Sequence, residues 1–305
     1  MTVPDFQSLM LPLLRLAGDD HEHTNSQTAN ALADEFALTE DEKNELLPSG
    51  RQARFDNRVG WARTYLQKAG LLERTGRGRF KISEQGRQVL AGNPESIDMK
   101  YLERFPAYIE WRDRSRQSGQ PGEGTSALTD APQTPEETLE AAHQALRGAL
   151  ARELLERVRA ETSRFFENLV IDVLVAMGYG GSRKDAAQAV GRSGDEGIDG
   201  IIKEDRLGLD VIYVQAKRWE GTVGRPVVQS FAGSLEGHHA RKGIMITTSD
   251  FSSGALEYVK RIEKKIVLID GETLAQYMVD HGVGVTPEAT YTVHRIDMDY
   301  FEEGE

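Results

Sequence analysis

The 305-residue sequence has no cysteine. That excludes a disulfide scaffold, a thiolate-ligated zinc site and a cysteine nucleophile, and it fits a reducing cytoplasm. No apolar run approaches the roughly 18–20 residues that a membrane helix needs. The N-terminus also lacks the basic-then-apolar build of a signal peptide, so a cytoplasmic protein without a membrane partner is expected. Aromatic residues are sparse at 7%, yet hydrophobic residues reach 39%, enough to bury sizeable cores. The length suits two domains better than one. Basic residues are the scarcer sign, 37 against 49 acidic, for a net charge of −12. Taken whole, that balance argues against a nucleic-acid partner.

Counted by segment, the charge separates. Residues 1–50 hold two basic and ten acidic residues, whereas residues 51–87 hold ten basic and three acidic ones. A basic segment inside an acidic chain points to an anionic partner, although a solvated basic face on a single helix would look the same. Here the excess runs on from a helix into a hairpin. Apolar spacing predicts helices over Phe6–Leu16 and from Ser26 to Phe36. A third is expected from about Gln52 to Ala69, stopped by Gly70. On this third helix Phe55, Val59, Ala62 and Leu66 share an inward face. Arg54, Arg58, Trp61 and Tyr65 fall on a neighbouring one. Leu71–Arg74 and Arg79–Ile82 read as strands about a Gly-rich turn, and Ser83 caps a short helix. Three helices and a basic-tipped hairpin predict a winged helix over residues 1–95. Its third helix, with Arg54 and Arg58, would enter a major groove, while Arg77 and Arg79 meet the DNA backbone or minor groove.

Residues 96–135 read as a connecting segment whose Ser118–Ser126 stretch has almost nothing to bury, a flexible linker. From 136 to 305 helices and apolar strands alternate, which predicts an α/β domain with a central mixed sheet. A short strand is expected near Ala187–Val190, followed by a glycine-rich turn in which Asp195 and Glu196 are turn carboxylates. Two further strands carry the chemistry: Ile198–Ile202, with Asp199 near its start, and Val211–Lys217, ending Gln215-Ala216-Lys217. Alternation places Gln215 and Lys217 on one face. With Asp199 on that face, a carboxylate and a neutral oxygen, joined by the Ala216 carbonyl, form an oxygen set suited to Mg²⁺ or Mn²⁺. Lys217 would orient the attacking water and stabilise charge on a phosphate. The spacing alone is loose; Asp199 as a hairpin cap and Lys217 as a surface lysine would satisfy it equally. Ser249, at the end of the strand Gly243–Thr248, reads as a helix N-cap.

Five ordered runs sharpen this. Phe165–Val170, Met177–Gly181, Gly194–Gly200, Tyr213–Trp219 and Ile246–Ser249 resemble the bacterial Mrr family of restriction endonucleases, as do Asn57–Ala62 and Lys68–Leu71 near the N-terminus. The resemblance covers residues 163–301 and extends to the N-terminal domain. It implies a PD-(D/E)xK nuclease fold, with Asp199 as the first catalytic carboxylate, Gln215 in place of the second acid, and Lys217 as the catalytic lysine. It also makes Glu167 a helix-borne acid reaching the metal; from the pattern alone Glu167 would be a solvent-facing residue. Gln215 departs from the general nuclease motif but is a usual variant in this branch, and it removes one negative charge from the metal site. Gln229 is similar to a glutamine on a helix beside the site in related nucleases, a secondary candidate for water or phosphate contact. The family implies cleavage of double-stranded DNA carrying methylated bases. Cutting both strands takes two sites, so a homodimer or higher oligomer is expected. The rival is a DNA-binding sensor or regulator with a degenerate, inactive nuclease domain. The net acidity adds an expectation of weak non-specific binding to DNA.

Overall fold

The computed structural model describes residues 3–117, 133–180, 197–204 and 210–294. Contacts gather into two compact units, one built on the chain up to His143 and the other Gln144–Val293. Among the described residues no helix is long and apolar enough to cross a membrane.

In the first unit, α1 (Met10–Leu16) leads to a two-residue strand β1 (His23–Thr24) and to α2 (Asn25–Glu35). Thr24 caps α2, ahead of the expected start at Ser26: its hydroxyl accepts from the Gln27 N–H while the Gln27 side chain accepts from the Thr24 N–H, a reciprocal capping box. A single turn α3 (Glu40–Lys43) precedes α4 (Arg54–Lys68). Gly70 ends α4 at φ +76°, a conformation in which the Leu71 N–H returns to the Leu66 carbonyl. Strands β2 (Leu72–Gly76) and β3 (Arg79–Ile82) follow, then α5 (Glu84–Ala91), capped by Ser83 as expected. The sheet order is β1-β3-β2, antiparallel throughout. Phe55, Val59, Ala62 and Leu66 are buried together with Phe6, Leu13 and Phe80. The unit continues through α6 (Met99–Leu102) and α7 (Pro106–Gln117), so order persists well into the segment expected to connect domains. The Ser118–Ser126 stretch lies outside the described residues.

Helix α8 (Pro135–Ala160) belongs to the first unit up to His143 and to the second from Gln144, and in the second unit it and α9 (Ser163–Ala176) precede a four-stranded sheet. Its strands are β4 (Gly200–Lys203), β5 (Val211–Lys217), β6 (Lys242–Thr247) and β7 (Lys265–Ile269), in that spatial order. The β4/β5 pair is antiparallel and the other two pairs are parallel, the mixed sheet expected. Helices α10 (Arg225–Gly237), α11 (Ser253–Arg261) and α12 (Gly271–Asp280) complete the unit. Strand alternation divides the core in two. Ile212, Val214 and Ala216 pack with Phe166 and Val170 of α9, while Tyr213 packs with Val228 and Phe231 of α10. Such two-sided burial lets central strands read as nearly continuous apolar runs. The expected strand near Ala187–Val190 and the carboxylates Asp195 and Glu196 lie outside the described residues.

Candidate active site

The end of β5 is where the polar groups of the second unit meet. Asp199 sits one residue before β4, and its N–H donates to the Val214 carbonyl at 2.9 Å. Its carboxylate Oδ2 accepts from the Ala216 N–H at 2.8 Å, so the side chain reaches across to β5. Gln215 is 5% exposed. Its Nε2 donates to the Gly197 carbonyl. Its Oε1, by contrast, is buried with no hydrogen-bond partner among the described residues. A buried acceptor left without a donor costs about 1–3 kcal/mol and is rare enough to require a reason. Gly197 makes the arrangement feasible. It adopts φ +91°, and a Cβ there would lie 2.6 Å from Gln215 Nε2. Gly197→Ala is therefore expected to displace the Gln215 amide and to destabilise the second unit by about 1–3 kcal/mol. A urea melt checks this, and an unchanged midpoint would contradict it.

Electrostatics tie the remaining groups to this point. Burial pushes the Asp199 carboxyl above its ordinary range, against the Ala216 N–H bond and the charge of Lys217, both of which lower it. Glu167, half-buried on α9, is raised by burial first and by the Asp199 charge second, while Lys217 and Arg164 oppose the rise. Glu167, Asp199 and Lys217 thus share one electrostatic neighbourhood, with the Gln215 amide beside Asp199. Two carboxyls raised by burial, next to a buried amide oxygen with no described partner, make a site that a further cation would stabilise. Among the described residues no group of three or more His, Asp or Glu side chains gathers as a metal cluster. Oxygen from two acids and one amide, with water completing the shell, fits a hard divalent cation such as Mg²⁺.

The other candidates are placed differently. Gln229 lies on the exposed face of α10, and no described contact joins it to Asp199, Gln215 or Lys217. In the first unit, Arg77 and Arg79 are exposed at the β2–β3 turn, with Arg79 Nη1 3.3 Å from Glu22. Arg58 is not on an open face: it is 14% exposed, donates to the Val3 and Pro4 carbonyls, and pairs with Glu137 at 2.9 Å. Arg54 pairs with Glu45 at 2.5 Å and approaches Glu137. Trp61 Nε1 donates to Glu136, and Tyr65 is buried among Phe6, Tyr108 and Trp111. The face of α4 expected to meet DNA is therefore covered by α7 and by the acidic first turns of α8. Helical spacing identified the face but not what covers it, because the covering helices lie 40–80 residues further along the chain.

Hydroxyl residues whose role the sequence did not show surround the end of β5. Ser249 is not an N-cap; Ser252 and Asp270 cap α11 and α12. The run Thr247-Thr248-Ser249 is buried instead, and its three hydroxyls donate to the carbonyls of Lys217, Trp219 and Gly221 at 2.8, 2.9 and 2.7 Å. Three consecutive hydroxyl residues closing an apolar strand were the available signal.

Residues 158–278 match the family model of a restriction endonuclease, and residues 6–92 match that of the Mrr N-terminal domain. A protein of Escherichia coli strain K12, the type IV methyl-directed restriction enzyme EcoKMrr, is 37% identical over 308 residues, covering 99% of this chain and 100% of that one. Among solved structures, the MspJI restriction endonuclease in complex with a 27-mer oligonucleotide is 25% identical. That match covers 52% of this chain and 32% of the other, with a TM-score of 0.27.

Proposed function

Because the chain belongs to the Mrr family of restriction endonucleases, we propose that it is a type IV enzyme that uses Mg²⁺ to hydrolyse double-stranded DNA carrying methylated bases. The observation that carries this is the buried Oε1 of Gln215, without a partner among the described residues, near the raised carboxyls of Asp199 and Glu167, a set that a divalent cation would satisfy. Asp199, Gln215 and Glu167 would hold the ion. When bound, it polarises a phosphoryl oxygen and lowers the pKa of a coordinated water. Lys217 donates to a non-bridging phosphate oxygen and to the attacking water, stabilising the charge that accumulates as water adds across one P–O bond. The Ala216 N–H holds the Asp199 carboxylate in place throughout.

The first unit supplies target choice. Its element order, helices followed by a hairpin with Arg77 and Arg79 at the turn, supports the winged-helix assignment. Methyl groups on cytosine C5 or adenine N6 protrude into the major groove, where such a domain detects them. Arg77 and Arg79 are the better candidates for DNA contact. Arg54 and Arg58 serve the packing of α4 against Glu45 and Glu137. Two such sites, one per strand, would act in a homodimer or higher oligomer.

The rival reading, a regulator with a spent nuclease domain, makes a different prediction. Under the nuclease reading Ca²⁺ should tighten DNA binding of the wild-type chain about tenfold, because the cation offsets the site's negative charge. Asp199→Asn should remove that effect. DNA affinity that is indifferent to Ca²⁺ in both proteins would favour the regulator.

A further inference from the structure

A cleft of ≈580 Å³ opens beside the end of β5, lined by Arg159, Arg218, Trp219, Glu220, Gly221 and Thr248. Its size is within the usual range for small-ligand sites. None of these residues belongs to the set that holds a cation, yet Arg218 and Trp219 directly follow Lys217. Trp219 is 43% exposed, unusual for so large an apolar ring. Both arginines are exposed, and each spends one described hydrogen bond on a backbone carbonyl: Arg159 Nε on Thr248, Arg218 Nη1 on Arg159. Neither forms a described ion pair with a carboxylate. Among the described residues that line the cleft, Glu220 is the one acid.

The chain past β5 would ordinarily be loose, because no further strand pairs with it. Here the hydroxyls of Thr247, Thr248 and Ser249 take the carbonyls of Lys217, Trp219 and Gly221 in turn, and the Thr248 N–H also donates to the Lys217 carbonyl at 3.3 Å, so side chains and backbone together hold the segment. Thr248 serves both walls. Its hydroxyl holds the Trp219 carbonyl and its own carbonyl accepts from Arg159. An exposed aromatic ring beside two guanidinium groups with no described ion pair is the combination that binds a nucleotide, ring against sugar or base and guanidinium on phosphate.

Resting on the nuclease reading, we infer that this cleft is a nucleotide subsite for the substrate strand next to the cleaved phosphodiester. Arg159 and Arg218 take the flanking phosphate, Trp219 packs on the nucleotide, and Thr248 is a positioning residue. Glu220 restrains affinity, in keeping with an acidic chain that should bind DNA weakly away from its targets.

The test is duplex-DNA affinity of the full chain against salt concentration, with EDTA present so that no strand is cut. Each phosphate contact contributes about −0.9 to the slope of log K against log salt. Arg218→Ala should flatten the slope by about one unit, and Arg218→Lys should restore it. Trp219→Ala should weaken binding about tenfold at an unchanged slope, with Trp219→Phe retaining most of it. Thr248→Val should copy Trp219→Ala, and Thr248→Ser should rescue. Glu220→Gln should tighten binding. In Mg²⁺, Arg218→Ala should raise KM about tenfold with kcat within about twofold. The subsite is wrong if the wild-type chain cuts DNA while Arg218→Ala and Trp219→Ala match it in slope and affinity. A wild-type chain that neither binds nor cuts DNA overturns the nuclease reading itself, and the subsite with it.

Discussion

Lys217→Ala is expected to slow Mg²⁺-dependent cleavage by about 10²–10³-fold, the usual cost of deleting one preorganised donor to a developing oxyanion. DNA affinity, measured without metal, should stay within about fivefold, because one ammonium is a small share of a backbone-wide contact. The expectation rests on how firmly Lys217 is held. It pairs in register with Thr247 across the parallel β5/β6 ladder, and the Thr247 hydroxyl takes its carbonyl. Its charge lowers both Asp199 and Glu167 against the burial that raises them. A surface lysine at a strand end would have neither property, and its removal would leave the rate unchanged. Single-turnover cleavage of a labelled duplex separates the two cases.

The second large effect concerns metal, proton and stability together. Asp199 and Glu167 have folded-state pKa values raised above those of the unfolded chain, so the folded protein holds protons that the unfolded chain releases. The contribution of this pair to metal-free stability should therefore be greatest below the ordinary carboxylate range and decline as pH rises through the raised values, and the difference between wild type and Asp199→Asn isolates it. Asp199→Asn should remove most of that decline. It should melt above the wild type at pH 8 and level with it near pH 4, since an amide still accepts the Ala216 N–H. Mg²⁺ binds the ionised pair and should reverse the order. At about a hundred times its dissociation constant it contributes about 2.7 kcal/mol, or ~5–10 °C for a unit of this size. Asp199→Asn should show no such shift. Metal affinity should in turn weaken as pH falls, at a higher pH than ordinary carboxylates would give. Thermal melts at pH 4, 6 and 8, with and without Mg²⁺, check all of these signs. A wild type that melts identically with and without the ion would contradict the assigned ligands.

Much of this was legible in the residues. Amphipathic spacing located α4 and its buried face, and Gly70 marked where α4 stops. The apolar runs ending in Gln215-Ala216-Lys217 and Thr247 became the two central strands, because strands buried on both faces show themselves in composition. Asp199 and Gln215 could be paired from strand order alone. What escaped was long-range. Glu137 lies 79 residues from Arg58 yet turns that arginine inward. Nothing in a local window distinguishes an arginine that meets DNA from one that meets a buried glutamate. Ser249 had the composition of a cap but acts as the last of three carbonyl-binding hydroxyls, a role visible only once β5 and β6 lie side by side.

One assay decides whether the chain cleaves methylated duplex DNA with Mg²⁺ at the Asp199–Gln215–Lys217 site. Matched methylated and unmethylated supercoiled plasmids are incubated with the full chain in Mg²⁺, with EDTA and Lys217→Ala as controls. Linear product should form from the methylated plasmid, with little from its unmethylated twin, and should vanish in EDTA and with Lys217→Ala. Equal resistance of both plasmids, or cutting by Lys217→Ala at the wild-type rate, would contradict cleavage at this site.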